Sequence, residues 1–279
     1  MSLDNLIPSV PSQSSLRFFS QLEFGQCDAD FNDEHPELFS QKIASSSVNK
    51  KKNRYADILA YDNTRVKLNN SDRIEDYINA NFVEYPNVSK YIAAQAPLPN
   101  TLGEFWQMIW EQQCPAIIVL TKEQEGYKLK YHPYCPIVNK PLISEQHDIK
   151  VEFDPTYMGP VSKSIQYNRY IVSRPSTNEA PRTVIQIKFE DWDHGTPNEL
   201  EPFVELLESS RLIQSTSQLK GPPVVHCSAG CGRTGTYCVI DTVLKLLPNW
   251  PATESRDIIC HVVHQFRQQR PYFVQTSSQ

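Results

Sequence analysis

Residues 226–235 combine a thiol, a guanidinium and three glycines at spacings that suit phosphate chemistry. The stretch reads His-Cys-Ser-Ala-Gly-Cys-Gly-Arg-Thr-Gly, so that Arg233 follows Cys227 by six positions. The apolar pair Val224-Val225 before it predicts a strand, and residues 236–247 after it predict a helix. A short loop of small residues between a strand and a helix can direct several backbone N–H groups at one point. The segment therefore predicts a phosphate-binding loop.

The positive field inside such a loop would lower the pKa of a cysteine at its start, which makes Cys227 a candidate nucleophile. The planar guanidinium of Arg233 can bind two phosphoryl oxygens at once, and the Thr234 hydroxyl can donate a hydrogen bond to the sulfur. We expect Cys231 and Cys238 to be structural, although Cys231 is also a candidate oxidation partner for the thiolate. The other substrate contacts would come from Ser228, Ala229, Gly230, Cys231 and Gly232.

The whole string resembles the signature H-C-S-A-G-x-G-R-[ST]-G of the cysteine-based, tyrosine-specific protein tyrosine phosphatases, and the resemblance covers nearly the whole chain after about residue 35. It implies an α/β fold, a single domain with a twisted, mostly central mixed sheet flanked by helices. It also implies a non-receptor enzyme that hydrolyses phosphotyrosine in proteins through a covalent cysteinyl-phosphate and needs no metal or other cofactor. Beside the loop, His226, Glu125 and Lys130 would support it without touching substrate.

By the same resemblance, Lys52-Asn53-Arg54-Tyr55, followed by Asp57, looks like the phosphotyrosine-recognition loop of the family. Tyr55 would stack on the substrate ring and set the depth of the pocket, and Asp57 would hold the substrate backbone. A deep pocket admits only a long side chain, which selects phosphotyrosine over phosphoserine. Ala56 stands where many members carry a longer residue.

Glu125 and Lys130, before Tyr134-Cys135-Pro136, fall where the family has its Glu loop, and Cys135 stands in place of a usual Trp. Glu125 would pair with Arg233, and a surface carboxylate is the alternative interpretation.

The loop that carries the general acid departs from the family pattern W-P-D-H-G-x-P, because no proline separates the Trp and Asp of Trp192-Asp193-His194-Gly195. Counting back from Gly195 places Asp193 at the acid position. Counting forward from Trp192 places His194 there, and Asp191 is a third candidate. We expect altered loop closure and slower turnover than usual, since the missing proline frees one backbone torsion.

Residues 268–279 resemble the loop with which the family positions the hydrolytic water. Gln275 would place that water and Gln279 would assist, with a polar turn as the alternative interpretation. We expect an acidic, partly mobile extension over residues 1–34 and a catalytic domain over residues 35–279 that lacks the usual final helix.

Composition limits the function classes. The chain of 279 residues has a formal net charge of −5 and seven cysteines, and six acids between residues 23 and 37 leave the remainder nearly neutral. The net-positive segment 50–67 is too small for a nucleic-acid footprint but can attract an anionic substrate.

The sequence has no signal peptide and no long apolar run, so it predicts a cytoplasmic protein with reduced thiols, with a nuclear location left open. The lack of any C-x-x-C pair predicts that there is no zinc site. The oligomeric state of the protein is not predicted.

Periodic segments predict the elements around the loop. Thr101 and Glu104 have the spacing of a capping box before the apolar face of a helix, and residues 116–120 read as a buried strand. Leu200, Phe203 and Leu207 share one face of a second amphipathic helix. Residues 258–266 predict the last helix.

Two other functions remain open. The altered acid loop would suit a module that binds phosphotyrosine with weak or no turnover. A phosphoinositide phosphatase is disfavoured because residues 228–232 contain no lysine, and a dual-specificity enzyme because such enzymes usually lack a Tyr55-type motif.

Overall fold

The centre of the molecule is a nine-stranded mixed sheet in the order β1-β2-β3-β11-β4-β10-β9-β8-β7. This computed structural model describes residues 36–69, 76–192, 195–251, 257–276 and 278–279, so the predicted extension over residues 1–34 lies outside the described part. The strands are β1 (Arg65–Lys67), β2 (Tyr77–Tyr85), β3 (Ser89–Ala94), β4 (Ala116–Val119), β7 (Leu142–Ser144), β8 (Ile149–Phe153), β9 (Ile165–Ser173), β10 (Arg182–Phe189) and β11 (Val224–His226), while β5 (Gln124–Glu125) and β6 (Lys128–Leu129) form a separate hairpin.

Helices cover both faces of this sheet. The helices are α1 (Lys42–Ser45), α2 (Leu102–Glu111), α3 (Leu200–Thr216), α4 (Gly232–Leu246) and α5 (Ile258–Arg267), with short 3₁₀ turns at Lys50–Lys52, Pro99–Thr101 and Leu247–Asn249. Phe203, Tyr237 and Phe266, from α3, α4 and α5, belong to the core on one face. Phe105 and Trp106 of α2 belong to the core on the other. The predicted fold class is confirmed, since a mixed sheet lies between two helical layers.

Four neighbouring strands, β3, β11, β4 and β10, run parallel. Val225 of β11 pairs with Ala93 on one side and with Ile118 on the other. Because the carboxyl ends of parallel strands meet at one edge of a sheet, the segments that follow these strands converge there. This topology brings together the loop after β11, Thr121 after β4 and the start of the acid loop after β10.

Two local predictions are wrong. Thr101 makes no side-chain cap with α2, because its hydroxyl is bonded to the backbone N–H and carbonyl of Leu98 in the preceding 3₁₀ turn. Glu104 is buried in an ion pair with Lys52 instead of completing a capping box. At the start of α3, Leu200 is 60% exposed and does not join the buried face. Among the described residues, no helix is long and apolar enough to cross a membrane.

Candidate active site

The loop between β11 and α4 encloses the thiol of Cys227, which is 6% exposed. Gly230 within it adopts φ +73°, a conformation that other residues rarely tolerate. A Cβ on Gly230 would lie 2.1 Å from the carbonyl oxygen of Ala94, at the end of β3. Glycine is thus required both by the turn and by the close approach of the neighbouring strand.

The pKa of the Cys227 thiol reflects two opposing influences. Burial would raise it, but the nearby Thr234 hydroxyl and the backbone N–H groups of Thr234, Gly230 and Cys231 outweigh burial and lower it. The Thr234 hydroxyl is buried and has no hydrogen-bond partner of ordinary geometry among the described residues, so it is available to the thiolate. These donors stabilise the thiolate selectively, because a neutral thiol accepts hydrogen bonds only weakly. In contrast, burial raises the pKa of Cys231 to about 11 and that of Cys238 well above its usual value.

Arg233, in the first turn of α4, is held by groups that follow β4. Its Nη1 donates to Oε1 of Glu125 at 2.5 Å and to Oγ1 of Thr121 at 2.9 Å. Glu125 also lies 3.1 Å from the ammonium of Lys130, across the β5–β6 hairpin. Although burial opposes ionisation, these partners, Arg233 foremost, lower the pKa of Glu125 to about 2. Glu125 therefore stays ionised near neutral pH and orients the guanidinium.

Ser228 connects the loop to the segment that carries Tyr55. Its hydroxyl donates to the backbone carbonyl of Lys130 at 2.7 Å, so the Tyr55 hydroxyl donates to Ser228 at 2.9 Å. Arg54 fixes the same segment against the carbonyls of Ala96 (3.1 Å) and Pro97 (2.7 Å). The Tyr55 ring is thereby held at the mouth of the site, with 37% of its surface exposed.

His226, at the end of β11, supports the start of the loop. Burial lowers its pKa to about 4, so the ring is neutral at neutral pH. The Nδ1 atom lies 2.9 Å from the carbonyl oxygen of Cys227, and Nε2 lies 2.6 Å from the Tyr134 hydroxyl. Because a carbonyl can only accept, Nδ1 carries the proton and the Tyr134 hydroxyl donates to Nε2. Gln186 in turn donates to the Tyr134 oxygen at 3.1 Å.

Arg270, just after α5, holds the loop from the other side and is completely buried. Its guanidinium donates to the carbonyls of Gly230 at 2.6 Å and Ala229 at 2.9 Å. The same group donates to the side chains of Asn81 at 2.8 Å and Asn79 at 3.1 Å, on β2. With the loop carbonyls turned outward to Arg270, the loop N–H groups are free to point inward.

Above the thiol lies an open cavity of about 490 Å³. The side chain of Gln279 caps the adjoining turn, accepting from the backbone N–H groups of Gln275 and Thr276 at 2.9 and 3.3 Å. Thr121 also lines the cavity above Cys227. Most of the predicted site residues meet here, namely Tyr55, Asp57, Lys130, Cys227, Ser228, Ala229, Gly232, Arg233, Gln275 and Gln279.

Of the three candidates for the general acid, only Asp191 lies in the described part of the chain. Asp193 and His194 lie outside the described residues. Asp191 accepts a hydrogen bond from Asn198 at 2.8 Å and lines a different cavity, together with Lys122 and Lys188. Trp192 before the loop is buried, and its indole N–H donates to the carbonyl of Gly195 at 3.1 Å.

Sequence reasoning missed the supporting residues Arg270, Tyr134, Thr121 and Gln186. A buried polar side chain produces no periodic signal, and its partners come from distant segments. Of these four residues, only Arg270 has a sequence context that could have drawn attention to it, because it directly precedes Pro271 at the end of the last predicted helix. Within the described residues, no group of three or more His, Cys, Asp or Glu side chains could hold a metal ion.

A thiol with a lowered pKa, a guanidinium oriented by Glu125, and backbone N–H groups directed at the sulfur together form a site suited to cysteine-dependent phosphate chemistry. The sequence profile described as protein-tyrosine phosphatase matches residues 49–279. This chain belongs to the protein-tyrosine phosphatase family.

Relatives include both receptor-type and non-receptor phosphatases. Over 246 residues the chain is 37% identical to mouse receptor-type tyrosine-protein phosphatase F, and over 245 residues it is 36% identical to chicken receptor-type phosphatase S. Each match covers 86% of this chain but only 12% and 15% of those relatives. The catalytic domain of human non-receptor type 18 superposes with a TM-score of 0.79 at 31% identity, covering 95% of this chain and 91% of that one. A structure of PTPN18 with HER2 phosphopeptides gives a TM-score of 0.81 at 31% identity over 95% and 88% of the two chains.

Proposed function

We propose that the protein hydrolyses phosphotyrosine in other proteins through a covalent cysteinyl-phosphate. The observation that carries this proposal is the Cys227 thiol, which has a lowered pKa and lies at the base of a cavity beside Arg233. Membership of the tyrosine phosphatase family supports the same reaction.

In the first step, the Cys227 thiolate attacks phosphorus and the bond from phosphorus to the tyrosine oxygen breaks. Arg233 and the loop N–H groups hold the phosphoryl oxygens while charge redistributes among them. The leaving oxygen takes a proton from the general acid, which we assign to Asp193. Single-turnover rates test this assignment with a phosphotyrosine peptide. Asp193→Ala should slow the step about 100-fold. An unchanged rate would refute the assignment of Asp193 and favour His194 as the acid.

In the second step, a water held by Gln275, with assistance from Gln279, attacks the phosphocysteine. The bond between sulfur and phosphorus breaks, inorganic phosphate leaves, and the Asp193 carboxylate accepts the proton released by the water. The Thr234 hydroxyl, which helps to lower the pKa of the thiol, donates a hydrogen bond to the departing sulfur.

The proposed substrates are phosphotyrosine-containing proteins. Tyr55 borders the cavity through its bond to Ser228, and Asp57 is exposed on the same rim, where it can bind substrate backbone. The PTPN18 structures with phosphopeptides support this substrate class. We place the protein in the cytoplasm or nucleus, where a reducing environment keeps thiols such as Cys227 reduced.

A phosphotyrosine-binding module with little turnover is the second candidate, favoured by the missing proline between Trp192 and Asp193. Para-nitrophenyl phosphate separates the two, because its leaving group needs little help from an acid. Hydrolysis of this ester by the wild type, abolished in Cys227→Ser, supports the enzyme. Retention of phosphotyrosine peptides by a wild-type protein that does not cleave the ester supports the binding module.

A further inference from the structure

The backbone just before Gln275 adopts a conformation that its residues disfavour. Val274 has φ +57°, and Tyr272, two residues earlier, has φ +54°. Among the described non-glycine residues with positive φ, Val274 is the only β-branched one, and for such a residue this conformation is a true outlier. A strained residue persists only where its surroundings hold it, and such residues cluster at functional sites.

Arg267, the last residue of α5, holds this backbone. It is buried, and its Nε donates to the carbonyl of Phe273 at 2.8 Å while its Nη2 donates to the carbonyl of Val274 at 2.6 Å. These two carbonyls belong to the peptide planes on either side of the Val274 Cα. Because each plane is rigid, fixing both of them fixes φ and ψ of Val274.

The same segment is anchored to α4 and to the loop that encloses Cys227. The Val274 N–H donates to the carbonyl of Cys231 at 3.3 Å. A Cβ on Gly235, in the first turn of α4, would lie 2.4 Å from the Val274 nitrogen. The position of Val274 relative to this loop is therefore fixed as well as its conformation.

Gln275 starts from one of the peptide planes that Arg267 holds. The carbonyl of Val274 and the nitrogen of Gln275 share that plane, so the hydrogen bond from Nη2 also sets where the Gln275 Cα lies. Gln275 lines the cavity above Cys227, and its Cβ lies 3.4 Å from the position that a Cβ on Gly232 would occupy. Arg267 itself does not line this cavity, and its route to the site runs through the backbone of Val274.

We propose that Arg267 is a positioning residue for hydrolysis of the cysteinyl-phosphate: by holding Val274 in its strained conformation, it aims the Gln275 side chain at the attacking water. This role rests on the proposed two-step reaction and concerns the second step alone. In that step the water oxygen bonds to phosphorus, the bond from sulfur to phosphorus breaks, and the proton released by the water passes to the Asp193 carboxylate. The first step relies on the thiolate, the guanidinium and the general acid, so it should not depend on Arg267.

Single-turnover measurements separate the two steps. The protein, in excess, is mixed with a phosphotyrosine peptide labelled on phosphorus, quenched at successive times and digested. Label on the Cys227 peptide then reports the formation and the loss of the phosphocysteine. Arg267→Met removes both donors and should slow the loss of label about tenfold or more, because small misplacements of a positioning group are costly. The formation of the phosphocysteine should keep its wild-type rate.

Arg65→Met is the matched control for removal of a buried arginine. Arg65 is also buried, pairs with Asp76 at 2.8 Å and lies outside the lining of the cavity. In this variant both the formation and the loss of label should keep their wild-type rates.

A double-mutant cycle shows whether Arg267 acts through Gln275. Gln275→Ala slows the loss of label on its own. Adding Arg267→Met to Gln275→Ala should slow it no further, because the two residues act as one unit. Additive slowing, or equal slowing of formation and loss in Arg267→Met, overturns the proposal.

Arg267→Lys covers the case in which Arg267→Met fails to fold. A single ammonium cannot bond both carbonyls with the geometry of the guanidinium fork, so the loss of label should again slow selectively, by a smaller factor. A wild type in which Cys227 never becomes labelled would contradict the proposed function as well as this role of Arg267. Wild-type rates of hydrolysis in whichever Arg267 variants fold would contradict this role alone.

Discussion

At the scale of single residues, the pKa of the Cys227 thiol is lowered because donors outweigh burial. Three backbone N–H groups and the Thr234 hydroxyl act against the desolvation that a 6% exposed thiol experiences. The sequence suggested this arrangement through the spacing of Cys227, Gly230 and Thr234. The contribution of each donor could not be predicted, since it depends on loop geometry that Arg270 and Ala94 help to determine.

Thr234→Val tests the side-chain part of this effect. We expect the midpoint of Cys227 alkylation by iodoacetamide to move to higher pH, because one donor to the thiolate is lost. Mass spectrometry of the Cys227 peptide gives the midpoint. Thr236→Val is the matched control, because the Thr236 hydroxyl donates to the Gly232 carbonyl at 3.1 Å instead. Identical midpoints in all three proteins would show that Thr234 does not stabilise the thiolate.

Glu125→Gln should reduce turnover through a misoriented Arg233, by about tenfold or more. Because the pKa of Glu125 is lowered to about 2 from 4.5, its stabilising charge is complete above about pH 4.5 and is lost as pH falls through about 2. The loss of stability in Glu125→Gln should therefore be constant between pH 5 and 8, as measured by urea unfolding.

Glu123→Gln, an exposed change on the same hairpin, is the control for this experiment. A stability difference between wild type and Glu125→Gln that shrinks from pH 8 to pH 5 would contradict the assigned pKa.

At the scale of elements, the phosphate loop is determined by its neighbours as much as by its own residues. Gly230 fits against the end of β3, and the loop carbonyls are bonded to Arg270 after α5. Helices and strands with strong periodicity, such as β4 and α5, could be predicted from sequence. The capping box at Thr101 could not be excluded, because the preceding turn competes for its hydroxyl.

Arg270→Met should destabilise the protein by roughly 3 kcal/mol, since it leaves buried carbonyl and amide oxygens without donors. Urea unfolding measures the loss, and alkylation of Cys227 should shift to higher pH as the loop relaxes. Arg270→Lys keeps the charge but cannot reach all four acceptors, so it should recover only part of the stability. Full stability in Arg270→Met would show that the loop does not depend on this residue.

At the scale of the whole molecule, parallel pairing of β3, β11, β4 and β10 gathers segments that are far apart in sequence. The sequence alone indicated the fold class and the candidate nucleophile, because the loop signature is local. It could not show the supporting contacts around that loop, since Arg270, Tyr134 and Gln186 come from segments far from Cys227 in the sequence.

The most direct test of the central claim is chemical trapping of the phosphorylated cysteine. Wild-type protein is mixed with a phosphotyrosine peptide labelled on phosphorus, quenched within one turnover and digested. We predict label on the peptide that contains Cys227, more of it in Gln275→Ala because hydrolysis of the intermediate slows, and none in Cys227→Ser. Turnover by the wild type with no labelled Cys227 peptide at any time would contradict the account.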